Sequence, residues 1–227
     1  MTDWLSYLAA FALFLAAHMI PTRPRIRGWL VARLGKAGYL AGYSLLSLGL
    51  LYLLILAAGN APRVSLWHQT AAARMAVNLA MPVAILLAVL AVGAPNPLSF
   101  GGRQAGFDPD RPGLAGITRH PLLWALILWA VAHLIGNGEV AHVVLFAVMA
   151  LFAAMGMVVL DARHRRRLGD ADFARLTARA PILPLSAGWP RGWGSAGGLL
   201  IRLALAGVIW AGLLHLHLPL IGASPLP

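Results

Sequence analysis

Long apolar runs, separated by short breaks rich in proline, glycine and charge, dominate this chain. Six runs stand out, at about 4–20, 38–58, 72–94, 120–137, 140–161 and 198–219. Each holds roughly 17 to 25 mostly apolar residues, enough for a helix rising about 1.5 Å per residue to cross a hydrocarbon core about 30 Å thick. The short alternating segments of a closed membrane barrel are missing. The pattern therefore predicts an all-α, polytopic transmembrane helical bundle of about six spans. Between the fourth and fifth runs stands only "GNGE" at 136–139, so those two helices are predicted to be antiparallel neighbours. Two breaks carry a helical period of their own. "IRGWLVARLGKAG" (26–38) and "DADFARLTARAP" (170–181) alternate apolar and basic positions, with Asp170 placed to cap a helix amino end, and both are expected to lie in the headgroup layer.

Charge turns this pattern into a topology. Of the eighteen Lys and Arg residues, fifteen fall in the breaks 21–37, 95–119 and 161–197, whereas Arg63 and Arg74 flank the opposite ends of the runs. The positive-inside rule then puts those three breaks in the cytoplasm and both termini outside. A net charge of +11 in a soluble protein would suggest nucleic acid. With 60% hydrophobic residues, 11% charged and a mean hydropathy of +0.77, the arginines instead fix orientation and meet anionic lipid, so the bilayer and not nucleic acid is the expected partner. Cysteine is absent, which removes disulfides, thiolate metal sites and a cysteine nucleophile. An acidic start at Asp3 and a long apolar stretch make residues 4–20 an uncleaved first span. With no internal repeat, low-complexity tract or soluble domain, 1–227 reads as a single integral membrane domain.

Polar groups inside apolar runs carry the candidate chemistry, because a charge at the bilayer centre costs about 2.5 kcal/mol or more. His18 ends the first run, His120 opens the fourth beside Arg119, and His133 sits near that run's far end. His68, His142, His215 and His217 lie near run ends, and His164 falls within "RHRRR". Imidazole is the usual axial ligand of haem iron, and helical bundles hold such cofactors between facing helices. The plainer reading is hydrogen bonding across a helix pair or snorkelling to the interface. Zinc has less support: no His-Glu-x-x-His occurs and Glu139 is the only glutamate. Nucleotide loops and the nucleophile elbow are also missing.

"RHPLLWALILWAVAHLIGNG" (119–138), with His18 ahead of "PTRPRIRGWLVARLGKAGYLAGYSLLSL", resembles the NnrU family of bacterial membrane proteins and, more distantly, 15-cis-zeta-carotene isomerase. The likeness is strongest over about 10–160, leaving 161–227 as an amphipathic segment and a last span. It implies a multi-pass protein of the bacterial inner membrane. It also implies a link to denitrification and nitric oxide metabolism, or a haem-dependent, isomerase-like cis–trans isomerisation of a lipophilic polyene, with haem b as cofactor. By resemblance His18 and His133 match the axial ligands and His120 a further motif histidine, while Ala130 stands where the isomerase carries a cysteine. Depth argues differently, since His133 lies about 18 Å beyond Pro121 at helical rise. His120 therefore shares the depth of His18 if the spans are straight, and the ligand pair stays open among the three. Arg119 is the expected haem-propionate partner, by bidentate pairing at the cytoplasmic mouth. Arg33, Tyr43 and Ser44, within the family-like "ARLGKAGYLAGYSLLS" (32–47), are further pocket candidates.

Two readings come from other classes. Arg-His-Pro followed by "RRRLGDADFARL" (165–176) is reminiscent of integral-membrane methyltransferases of the isoprenylcysteine type, which bind S-adenosylmethionine. The other is a non-enzymatic assembly factor with a respiratory metalloenzyme as its partner.

Overall fold

The computed structural model describes residues 4–226. A helix covers each of the six predicted runs: α1 (Trp4–Met19), α2 (Pro24–Gly59), α3 (Ala71–Ala91), α4 (Pro121–Gly136), α5 (Val140–Leu168) and α7 (Ala196–Ile221), with a short α6 (Asp170–Thr177) between the last two. Among the described residues there is no strand, only two isolated β-bridges. Four helices, α2, α3, α5 and α7, are long and apolar enough to cross a membrane; α1 and α4 are apolar but have 16 residues each. Between 6% and 28% of the apolar windows of those four is buried by protein, so their outward leucines and valines need lipid to cover them. The chain is a multi-pass membrane protein. Its residues fall into two compact units.

The first unit takes in the chain up to His68 together with Gly138–Leu145. Helices α1 and α2 form a hairpin whose turn is fixed locally. Thr22 Oγ1 donates to Met19 O (2.9 Å), and Pro24 opens α2, where its missing N–H costs nothing. Tyr39 donates its hydroxyl to Pro21 O across the hairpin (3.2 Å). Within α2, Gly35 leaves the helical region (φ 70, ψ 167), a conformation glycine adopts without a Cβ penalty. The amphipathic stretch predicted over 26–38 thus lies within α2, whose helix breaks inside that stretch at Gly35. Residues 64–67 run antiparallel beside 138–140, with Leu66 N donating to Gly138 O and Val140 N to Val64 O, each at 2.8 Å. A Cβ on Gly138 would lie 1.8 Å from Trp67 O, so only glycine fits.

The second unit comprises Gln69–Asn137 and Phe146–Pro227. Helix α3 packs against both α4 and α7. It is antiparallel to α4: Gly136 meets Val77 at one end, and Leu122 packs with Leu87 and Leu90 around Ala91 at the other. Against α7 it is again antiparallel, since Arg202 bonds the last carbonyls of α3 while Asn78 Nδ2 donates to Pro225 O (2.6 Å). Helix α5 lines α4 the same way, with Asp161 beside Arg119 and His120, Gly156 against Leu123, and Phe146 against Trp129 and His133. The antiparallel relation expected from the short connection is therefore present. Helix α5 continues past the predicted end at 161, through the basic run to Leu168.

The expected capping role of Asp170 is corrected. The residue before α6 is Gly169 (φ 81), whose left-handed backbone makes the sharp turn from α5, and no side chain caps the helix. Asp170 is the first helical residue, and its carboxylate accepts from Arg165 instead.

Candidate functional site

Pro121 occupies the first position of α4, which makes His120 the half-in residue at its amino end (φ −123, ψ 55). The side chain of His120 is fully buried, and its Nε2 lies 2.9 Å from Asp161 Oδ1. A carboxylate only accepts, so Nε2 carries the proton. The same carboxylate accepts from Arg119, whose Nε lies 3.1 and 3.0 Å from the two oxygens and whose Nη2 bonds Oδ2. Arg119 spends its remaining edge on Ala180 O (Nη1, 2.9 Å). Its backbone is held as tightly: Asn96 Nδ2 donates to Arg119 O (3.0 Å), and Arg119 N donates to Pro181 O (2.9 Å). Next to it, Thr118 Oγ1 donates to Ile182 O at 2.7 Å. Asp161 thus ties the entry of α4 to α5 and, through Arg119, to the segment 180–182. Nδ1 of His120 is buried without a hydrogen-bond partner.

The other two candidate histidines are arranged differently. Nδ1 of His133 lies 2.9 Å from Trp129 O, and Nδ1 of His18 lies 3.0 Å from Phe14 O. A carbonyl cannot donate, so in both rings Nδ1 bears the proton and the lone pair sits on Nε2. Each ring is packed among aromatics: His133 against Trp129 and Phe146 at centroid distances of 5.5 and 5.2 Å, His18 against Phe14 and Tyr43 at 4.2 and 5.7 Å.

Tyr43 belongs with His18, since its ring meets the imidazole edge-on and stacks on Tyr39 at 6.0 Å. Arg33 is exposed, with its guanidinium 5.3 Å over the Trp29 ring. Ser44 is exposed on α2. In the second unit Arg119 and His120 come together, while His133 lies at the opposite end of the same helix, thirteen residues on. Sequence reasoning missed Asp161, although it is the only acid between Val140 and Gly169, and it missed Asn96 and Thr118, which are buried.

No group of three or more His, Asp or Glu among the described residues is arranged to hold a bare metal ion. No curated protein and no solved structure matches this chain. The family model described as "NnrU protein" matches residues 6–225, nearly the whole length, and the chain belongs to the NnrU family.

Proposed function

We propose that this NnrU-family membrane protein binds haem b, and that His18, within the first unit, and His133, within the second, are each prepared as an imidazole ligand for iron. The observation that carries the reading is their shared tautomer. Histidines that ligate metals usually donate the other ring N–H to a carbonyl or carboxylate, which fixes the ring and raises its basicity. Both residues donate Nδ1–H to the carbonyl four residues back, which puts the ring lone pair on Nε2. His120 has the reverse assignment, with Nε2 turned to Asp161, and its role is to hold the entry of α4. Arg119 serves Asp161 and Ala180 O, so a propionate would have to displace the carboxylate to reach it. When bound, haem supplies a one-electron centre able to take nitric oxide or to act on a lipophilic polyene, which suits the family's association with denitrification. The protein's own part is to orient each imidazole within its unit, with Phe14 and Tyr43 packed at His18 and Trp129 and Phe146 at His133.

The test is an absorption spectrum, oxidised and dithionite-reduced, of detergent-purified protein expressed with ample haem. A Soret band is expected, lost or shifted in His18→Ala and in His133→Ala and retained in His120→Gln. No Soret band in the parent protein refutes the cofactor. A band that survives His133→Ala and disappears in His120→Gln refutes the ligand assignment.

A further inference from the structure

A cavity of about 370 Å³ opens in the second unit where α3 ends and α7 begins. Three arginines line it, Arg103, Arg111 and Arg202, together with apolar residues that include Leu114 and Trp193. We propose that this cavity binds the phosphate of an anionic phospholipid headgroup, independently of haem.

The charge balance favours an anion. Asp108 also lines the cavity, but its Oδ1 accepts from Asp110 N (2.9 Å) in its own turn. Arg103 and Arg111 make no side-chain hydrogen bond or ion pair among the described residues, and Arg202 uses only Nη1, on Val89, Leu90 and Val92. Guanidinium edges with no protein acceptor match phosphate oxygens in pairs. The amino end of α7, capped by Ser195, faces the same space and adds partial positive charge.

The walls are preformed. Asn96 N donates to Arg103 O and Arg103 N to Ala94 O, both at 2.9 Å, which pins Arg103 beside the end of α3. Gly113 (φ 55) donates to Arg191 O at 2.8 Å, and a Cβ on Gly192 (φ 88) would lie 2.3 Å from Arg111 O. The two loops therefore touch backbone to backbone, and Arg111 is fixed at their junction. The location selects lipid. Both neighbouring helices are membrane-length and end at this level, so the cavity opens at the height of headgroups. Basic pockets between spans are established binders of anionic headgroups.

The full-length protein in a neutral detergent would be titrated with short-chain phosphatidylglycerol, short-chain phosphatidylcholine and inorganic phosphate, with occupancy read by native mass spectrometry. Phosphatidylglycerol is expected to bind preferentially, and about ten-fold more weakly in Arg103→Gln/Arg111→Gln. Arg63→Gln, outside the cavity, should match the parent protein. Circular dichroism checks folding, and Arg111→Gln alone keeps the test alive if the double variant does not fold. Equal binding of the two lipids, or unchanged phosphatidylglycerol affinity in the variants, overturns the proposal. Inorganic phosphate binding as tightly as phosphatidylglycerol overturns the lipid source and leaves a soluble phosphate compound. None of these readouts passes through the Soret band, so a haem-free protein leaves the test intact.

Discussion

Removing the Asp161 carboxylate isolates two donors at once. Side-chain exposure is 14% for Asp161, 11% for Arg119 and 0% for His120, so water can do little to replace it. Breaking a buried ion pair by deleting one partner costs about 3–5 kcal/mol, because the other charge stays behind without compensation. Arg119 keeps Ala180 O as an acceptor, and the residual exposure admits some water, which argues for the lower end. In a domain of this size each kcal/mol moves the melting temperature by about 2–4 °C, so a loss of about 3 kcal/mol in Asp161→Ala lowers it by about 6–12 °C. Asp161→Asn keeps one acceptor and the side-chain volume and should lose about 1–3 kcal/mol. The comparison is Asp170→Ala. Its ion pair with Arg165 has side chains 80% and 63% exposed, and such pairs contribute about 0–1 kcal/mol. Intrinsic tryptophan fluorescence, recorded on heating the detergent-purified variants, measures all three. The reasoning is refuted if Asp161→Ala melts no lower than Asp170→Ala.

Further expectations rest on single contacts. Gly188 and Gly192 both have left-handed backbones (φ 82 and 88), but only at Gly192 would a Cβ strike backbone, at Arg111 O. Gly188→Ala should cost about 1 kcal/mol for its conformation alone, and Gly192→Ala clearly more, by the same thermal melts. Arg202→Gln removes the charged donor from the last turn of α3 and should cost about 1.5–3 kcal/mol, with faster amide exchange confined to that end of α3. Because the chain has no cysteine, single cysteines report topology directly. A membrane-impermeant maleimide should label Ser65→Cys in intact spheroplasts and Ser186→Cys only after permeabilisation, and the opposite result reverses the orientation argued from the arginines.

The spans were legible because lipid imposes one requirement on every residue of a run, and apolar length reports it. The loops were not, because their partners lie far apart in the chain: Thr118 bonds Ile182, and Arg119 bonds Ala180 and Asp161. One long-range pair could still have been found. Reflecting residues 119 and 120 through the tight connection at 136–139 lands roughly one to two helical turns short of Asp161, within reach of an arginine side chain. The stretch 140–169 offers no other acid. Asp161 escaped notice because it borders "RHRRR", where a carboxylate reads as part of a solvated charge run. Arg202 escaped for a related reason: it stands just inside an apolar run, where its three carbonyl acceptors, on Val89, Leu90 and Val92 at the end of α3, lie more than a hundred residues earlier.

The three histidines separate along the same line. Depth favours His120 as the match for His18, since both stand at the predicted cytoplasmic ends of their spans. Depth says where a ring lies and nothing about which nitrogen it offers. For His133 and His18 that choice is local, because each ring donates to the carbonyl one turn back in its own helix, and the helix alone maintains it. For His120 the choice belongs to Asp161, which approaches from α5, 41 residues away. The two kinds of control give different responses to one substitution. Asp161→Ala removes the acceptor that holds Nε2 of His120 and leaves the Trp129 and Phe14 carbonyls in place. Under the assignment to His18 and His133, the Soret position of Asp161→Ala stays at that of the parent protein while its melting temperature falls. A Soret shift in parallel with the stability loss would return His120 to the iron.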